Sequence, residues 1–332
     1  MTGRLRVGVI GTGAMGSAHA RTLAASVAGV ELTAVHDLDA DRAKALADEV
    51  GASAAPTPEA LIAEVDAFVI ASPDPTHVDL ALAGVAAGRP MLCEKPLAVD
   101  ADGARRVVDA EVAAGRRLVQ VGFTRRYDPA FRELKAVVDA GDLGEVRIVH
   151  AVHRNATNST STDDATLVTG SMIHELDTLP WLLGDRLVAV RVESPVDRAF
   201  RDPQLATLRF GSGALATVEV FVNARYGYDV QTEIVGTAGT ASLEPRSTVT
   251  TRRAGRAGTA VRDDFVAHFA DGYRLELAAW AVAARAGTVD GPDAWDGYVA
   301  NVAAAAGVRS LRSGEWEAVV PVERPALYET GR

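Results

Sequence analysis

The 332 residues carry a formal net charge of −10, with 34 Lys and Arg against 44 Asp and Glu, and 48% of them are hydrophobic. That acidic balance argues against a surface for nucleic-acid phosphates, which are held by clustered Lys and Arg, and no apolar run approaches the roughly eighteen residues that cross a bilayer. The apolar content is that of a globular protein, in a chain long enough for more than one hydrophobic core.

In chain order, "LRVGVI" is a short β-branched run that enters "GTGAMG" and then a helical "SAHARTLAAS". "ELTAVHD", "DAFVIAS", "PMLCE" and "RLVQVGF" read as further buried strands, separated by the helical segments "ADRAKALADEV", "PTHVDLALAGVAAG" and "DADGARRVVDAEVAAG". Strands alternating with helices of this length predict right-handed crossovers and a parallel sheet. The opening residues show no signal-peptide organisation, so a cytoplasmic location is expected. Cys93, the single cysteine, sits in an apolar strand and reads as a packing residue; it offers neither a disulfide nor a structural zinc site.

Beyond "DPAFRELKAVVDAG" the rhythm changes. "EVRIVHAVHRN" alternates as a long strand, and a polar loop, "ATNSTSTDDATLVT", leads to the apolar helical stretch "LVTGSMIHELDTLPWLLG". "QLATLRFGSGALATVEVFVN" and "YDVQTEIVGTAGTASLE" each alternate on both sides of a Gly-containing turn, which predicts antiparallel hairpins with one face covered. "TTRRAGRAG" reads as a solvated hairpin or loop, and "GPDAWDGYVANVAAAAGVRSLRSG" as a long terminal helix opened by Pro292. The predicted architecture is α/β: a Rossmann dinucleotide-binding domain over residues 1–122, then an α+β domain over 123–332 on an open, mostly antiparallel sheet, with the terminal helix able to pack back on the first domain.

Gly11, Gly13 and Gly16 form GxGxxG between a strand and a helix, and Asp37 ends the second strand. In that context Gly11 permits the tight turn, Gly13 lets backbone N–H groups approach a pyrophosphate, and Gly16 allows close helix–strand packing. Asp37 would accept hydrogen bonds from the ribose hydroxyls. A 2′-phosphate would meet a carboxylate and no neighbouring arginine, since Leu38 and Asp39 follow Asp37, so NAD is expected rather than NADP. Glu94-Lys95-Pro96 ends a buried strand at its carboxyl end, where such sheets bind ligands, which is an unusual place for an ordinary surface ion pair. The expected cofactor contacts are Gly11, Gly13, Ala14, Met15, Gly16, Asp37, Leu38, Ser72, His77, Glu94 and Lys95, with no metal.

"CEKPLA", "RLVQVGFTRRYDPAF", "AVHRN", "MIHELDTLPWLLG", "VFVNARYGYDVQTEIVG" and "GPDAWDGYVA" together resemble the Gfo/Idh/MocA oxidoreductase family, most closely its inositol dehydrogenase branch. The resemblance implies an NAD-dependent oxidation of a cyclitol hydroxyl to a ketone, a homotetramer joined through the open sheet, and no nucleic-acid or membrane partner. Carried over position by position, the lysine of the EKP motif is Lys95 and the helix histidine is His174, both catalytic. Arg125, His153, Asp177, Tyr228 and Lys95 would contact the cyclitol or sugar.

The chemistry makes a parallel demand, because hydride leaves a carbinol carbon only as the hydroxyl proton leaves too, and a group titrating near neutrality must take it. His174 suits that task, and Lys95 would polarise the oxygen or exchange roles with it. On a regular α-helix Gly170, His174 and Asp177 share one face, at spacings of four and three. Glu175 falls on another face and reads as a structural or solvated group, and Trp295 and Tyr298 as packing. One departure lies at the chemistry itself: where the family's inositol dehydrogenases carry an aspartate four residues before the histidine, this chain has Gly170. The readings that follow are a cyclitol dehydrogenase acting without that carboxylate, a redox-neutral NAD-using glycoside hydrolase, and a silent NAD-binding protein.

Overall fold

The computed structural model describes residues 3–157, 161, 163–197, 199–243 and 249–329. Two compact units divide the chain, one of residues 1–127, 271–302 and 321–332, the other of 128–270 and 303–320. Residues 271–302 and 321–332, expected in the second domain, thus belong to the first unit.

The first unit alternates β1 (Leu5–Ile10), α1 (Ala14–Ser26), β2 (Val30–His36), α2 (Ala40–Val50), β3 (Ser53–Ala54), α3 (Pro58–Glu64), β4 (Ala67–Ile70), α4 (His77–Ala86), β5 (Met91–Cys93), α5 (Ala101–Ala114) and β6 (Val119–Val121). Its six parallel strands run in the order β3-β2-β1-β4-β5-β6, the doubly wound arrangement in which strand order reverses beside β1. Val7, Val9, Val69 and Leu92 are buried, as strands covered on both faces require. Leu277, Trp280, Ala281 and Ala284, from a helix late in the chain, join the core formed by β1, β2 and α1. Their contribution explains why residues 271–302 belong with this unit: an apolar helix face is stable only where it is buried.

The second unit opens with α6 (Pro129–Asp139) and β7 (Val146–Arg154), followed by α7 (Asp164–Thr166), a π-helical segment (Leu167–Met172) and α8 (Ile173–Leu183). β8 (Leu187–Glu193), β9 (Gln204–Phe210), β10 (Leu215–Phe221), β11 (Asp229–Gly236) and β12 (Thr240–Ser242) complete most of its sheet. The chain continues through β13 (Thr250–Arg253), β14 (Arg256–Thr259), α9 (Phe265–His268), α10 (Ala270–Ala286), α11 (Ala294–Ser313) and β15 (Glu317–Ala318).

Seven strands run β12-β11-β7-β10-β9-β8-β15. The expected hairpins are β9–β10 and β11–β12, both antiparallel, and "TTRRAGRAG" forms the exposed β13–β14 hairpin. One pairing departs from the antiparallel expectation, since β7 enters between the hairpins and runs parallel to β10. Alternation along β7 places Val149, Ala151 and His153 on the covered face, while Ile148 and His150 stay exposed on the other.

"LVTGSMIHELDTLPWLLG" is not one regular helix. Residues 167–172 are π-helical and only 173–183 are α-helical, so the spacing of four from Gly170 to His174 does not measure one α-turn. The spacing of three from His174 to Asp177 lies wholly in α8 and stands. Asn158–Thr160 and Thr162 of the preceding polar loop lie outside the described residues.

Candidate active site

The first unit carries the glycine turn. Gly11 has φ +91, and a Cβ there would stand 2.4 Å from the Ser72 backbone nitrogen; a Cβ on Gly16 would come within 1.8 Å of the Gly11 carbonyl oxygen. Both positions therefore need glycine, one for conformation and both for space. A Cβ on Gly13 would meet nothing within 4 Å, and Gly13 begins α1 with no side chain capping it. The helix start is thus an open cradle with the N–H groups of the first turn directed to it, where Ala14 is exposed and Met15 half-buried.

Asp37 ends β2 at that cradle. Its Oδ2 accepts hydrogen bonds from the Thr12 backbone nitrogen (2.7 Å) and hydroxyl (2.9 Å), and its Oδ1 from the Asp39 backbone nitrogen (2.9 Å). Partial burial works against the carboxylate, but these donors and nearby Arg42 hold its pKa below the usual value. Arg42 lies 3.4 Å from Asp37, which corrects the expectation of no neighbouring arginine: the first turn of α2 brings back a side chain five residues along. Arg42 is also 3.5 Å from Asp39. Leu38, next to Asp37, is 92% exposed and offers an apolar surface to a planar base.

His77 is buried, with Nδ1 2.7 Å from the Pro96 carbonyl oxygen and Nε2 2.9 Å from that of Ser72. Carbonyls only accept, so both ring nitrogens are satisfied together when both carry protons. Burial opposes that charge, but Cys93 beside the ring and the two carbonyls outweigh it and raise the pKa to about 10. His77 therefore ties the end of β4 to the turn that carries Lys95. Lys95 itself is half-buried, and its backbone nitrogen donates to Glu94 Oε2 at 3.2 Å. Glu94 is buried, and its Oε1 lies 2.7 Å from His19 Nε2. Arg125 is 2% exposed, in the helical turn after β6.

The second unit gathers the other residues. His153, on the covered face of β7, lies 3.3 Å from the Glu175 carboxylate of α8, and both are nearly inaccessible. The His153 ring stands edge-on to His174 and to Tyr228, each with centroids 5.8 Å apart. Tyr228 continues the aromatic contacts to His268 at 5.1 Å. His174 is half-buried, whereas Asp177 is 3% exposed. Glu175 is accordingly not solvated; it anchors His153, and the alternation of a helix face alone did not reveal this because its partner comes from a distant strand.

Residues 5–123 match the model of the oxidoreductase family with the NAD-binding Rossmann fold, and residues 131–242 match that of the GFO/IDH/MocA C-terminal domain. The chain belongs to the Gfo/Idh/MocA oxidoreductase family. Among similar members of this family, inositol 2-dehydrogenase 1 of Saccharopolyspora erythraea is 46% identical, over 98% of this chain and 99% of that one. An inositol 2-dehydrogenase of Azotobacter vinelandii is 42% identical, over 98% of each. The crystal structure of myo-inositol dehydrogenase from Lactobacillus casei, in complex with NAD(H) and myo-inositol, superposes with a TM-score of 0.93 at 33% identity, over 98% of this chain and 100% of that one.

This Gfo/Idh/MocA protein is an NAD-dependent oxidoreductase, and the open Gly13 cradle with the carboxylate of Asp37 beside it fits the dinucleotide. Among the described residues no group of His, Cys, Asp and Glu could hold a metal ion, and no helix is long and apolar enough to cross a membrane. Two residues of the first unit went unnoticed in the sequence. His19, three residues after Gly16, is legible only as a helix position until Glu94 is seen beside it. Glu276, fully buried, announces itself only as a carboxylate in an otherwise apolar helix face.

Proposed function

We propose that this protein oxidises a secondary hydroxyl of a cyclitol, myo-inositol or a close derivative, to the corresponding ketone. The reading is carried by the buried His153–Glu175 pair with His174 and Tyr228 around it, in a chain 46% identical throughout to an inositol 2-dehydrogenase. A ring of vicinal hydroxyls needs several fixed donors and acceptors, and a site built to hydrogen-bond hydroxyls rejects analogues that lack them.

NAD, when bound, accepts the hydride from the carbinol carbon. Lys95 holds the reacting hydroxyl oxygen and stabilises negative charge there as the proton departs. Lys95 and His174 share the handling of that proton. Glu175 fixes the His153 ring, so that His153, with Arg125, Asp177 and Tyr228, orients the remaining hydroxyls. His77 keeps the Lys95 turn in place through the Pro96 carbonyl. The protein works as a homotetramer in the cytoplasm, where NAD is supplied.

A panel of cyclitols with NAD should give NADH absorbance at 340 nm for myo-inositol or a derivative; no NADH across the panel, together with cleavage of aryl glycosides, would instead establish the redox-neutral hydrolase. Lys95→Ala should lower kcat by about 100-fold or more while the Kd for NAD, read by fluorescence titration, changes by less than about threefold. A Lys95→Ala protein with full turnover would remove Lys95 from the chemistry.

A further inference from the structure

Behind the Lys95 turn lies a pair of buried groups that the reaction scheme leaves unused. His19, on α1, is 1% exposed and places Nε2 2.7 Å from Glu94 Oε1. The second Glu94 oxygen accepts the Lys95 backbone N–H. The His19 ring is itself held edge-on by Tyr273, with centroids 5.8 Å apart. Gly122, after β6, closes the other side: a Cβ there would stand 3.1 Å from Glu94 Oε2, so this wall abuts the carboxylate. The charged and titratable groups that face Glu94 are His19 on α1, Lys95 beside it in sequence and Glu276 on α10.

Glu94 is buried, yet His19 and the Lys95 charge hold its carboxyl below the usual carboxylate range, against the desolvation that opposes them. Glu276 shows the opposite outcome. Burial, with the Glu94 charge adding, drives its pKa well up, against the nearby Thr124 hydroxyl, so that this carboxyl stays neutral. Two buried carboxyl groups on one side of the Lys95 turn are thus separated in charge by their neighbours, and the ionised one touches the turn.

We propose that His19 is a positioning residue: it engages one oxygen of Glu94, divides that carboxylate between an imidazole and the Lys95 ammonium, and so keeps Lys95 able to exchange a proton with the substrate. The proposal rests on the assignment of Lys95 to proton handling. Without His19, Glu94 keeps Lys95 as a partner and loses the imidazole that shares it. Whether His19 is charged or neutral, its removal takes from Glu94 a partner that competes with Lys95 for that carboxylate. In both cases the ammonium is held more strongly and gives up its proton less readily.

The chain contains three lysines, Lys44, Lys95 and Lys135, so Lys95 can be titrated directly. After reductive methylation with ¹³C-formaldehyde, the dimethyl-lysine signal that vanishes in Lys95→Arg reports on Lys95 in the NMR spectrum, without substrate or NAD. His19→Asn should raise the midpoint of that signal by about one pH unit, and Glu94→Gln should lower it, an opposite sign that loss of packing would not produce. In a Glu94→Gln background, His19→Asn should add no further shift, because its route to Lys95 is gone. Glu276→Gln should leave the midpoint in place, since an amide reproduces a neutral acid.

In kinetics, His19→Asn should lower kcat on the oxidisable cyclitol about tenfold and displace the rising, acid-side limb of its pH profile upward by the same interval, with the KM for NAD nearly constant. An unshifted Lys95 signal in folded His19→Asn, or a shift that persists in Glu94→Gln, overturns the proposal. Should His19→Asn not fold, Glu94→Gln decides by its own sign: a Lys95 midpoint that fails to fall in that variant overturns the proposal. A shifted signal with unchanged turnover in Lys95→Ala overturns the assignment of Lys95 instead.

Discussion

Gly170 stands where the resemblance implies an aspartate, and we propose that this position sets the choice of substrate. A Cβ built on it meets no atom within 4 Å, so glycine is not required there for space at that atom. The aspartate that the resemblance implies would supply a carboxylate near His174, raising the basicity of the ring and orienting it. Gly170→Asp should therefore increase kcat/KM on unsubstituted myo-inositol by about tenfold, measured as NADH formation. Loss of activity on every cyclitol would show that the space accommodates a substituent carried by the true substrate. At the cofactor end the deciding pair is Asp37 and Arg42, 3.4 Å apart. Asp37→Ser removes the acceptor for the ribose hydroxyls and releases a cation suited to a 2′-phosphate, so the Kd for NAD should rise about tenfold while that for NADP falls, both by fluorescence titration. An unchanged preference would exclude Asp37 from cofactor choice. The glycine turn and Asp37 were legible because their spacing is fixed by the turn itself. Arg42 was not, because adjacency in space comes from the first turn of α2 and adjacency in sequence does not report it.

Among the elements, the π-helical segment at 167–172 carries the part of the site least visible to periodicity. Hydrophobic spacing distinguishes a helix from a strand, but a change from α to π hydrogen bonding alters the spacing by a fraction of a residue per turn, within the tolerance of any apolar pattern. Strands β1, β2, β4, β5, β6 and β7 and the two hairpins were read from local patterns, β3, β8 and β15 were not, and the parallel β7–β10 pairing and the His153–Glu175 bond depend on which distant elements meet. The join between α5 and β6 makes a prediction of its own. Glu111, buried on α5, accepts hydrogen bonds from the backbone nitrogens of Leu118 and Val119 and from the Tyr328 hydroxyl at 2.6 Å. Burial nevertheless prevails over these donors and raises its pKa to about 7. The folded protein then binds a proton that the unfolded chain has released, so this contribution to stability is complete below about pH 4.5 and is lost as pH rises through about 7. At about 1.4 kcal/mol for each pH unit, the loss is on the order of 3 kcal/mol. Urea denaturation of Glu111→Gln should be flatter between pH 4.5 and 7 than that of the parent, and parallel curves would show that Glu111 does not titrate in that window.

For the molecule as a whole, the division into two units matters because their sheets are finished differently. The first sheet is parallel, and its central strands β1, β4 and β5 are mainly apolar and buried, as helices on both faces require. The second sheet has a covered face bearing His153 and an opposite face on which Ile148, Leu205 and Leu215 are 42%, 44% and 40% exposed. Ile148 and Leu215 are partners in the parallel β7–β10 register, so two large apolar side chains stand side by side, and the Arg154–Glu219 pair occupies the same face. An antiparallel sheet can leave one face to water, but polar residues then occupy it, and aliphatic side chains in register suit a subunit interface instead. We propose that the homotetramer assembles through this face. Ile148→Glu with Leu215→Glu sets two like charges together where an interface would exclude water, an arrangement costing several kcal/mol at about one opposing pair per contact. Light scattering should then report a species smaller than four chains, with the circular dichroism of the parent retained, since both side chains point away from the core. A four-chain mass for the double variant would place the assembly surface elsewhere, and a single-chain mass for the parent would show that this face meets water in the working protein.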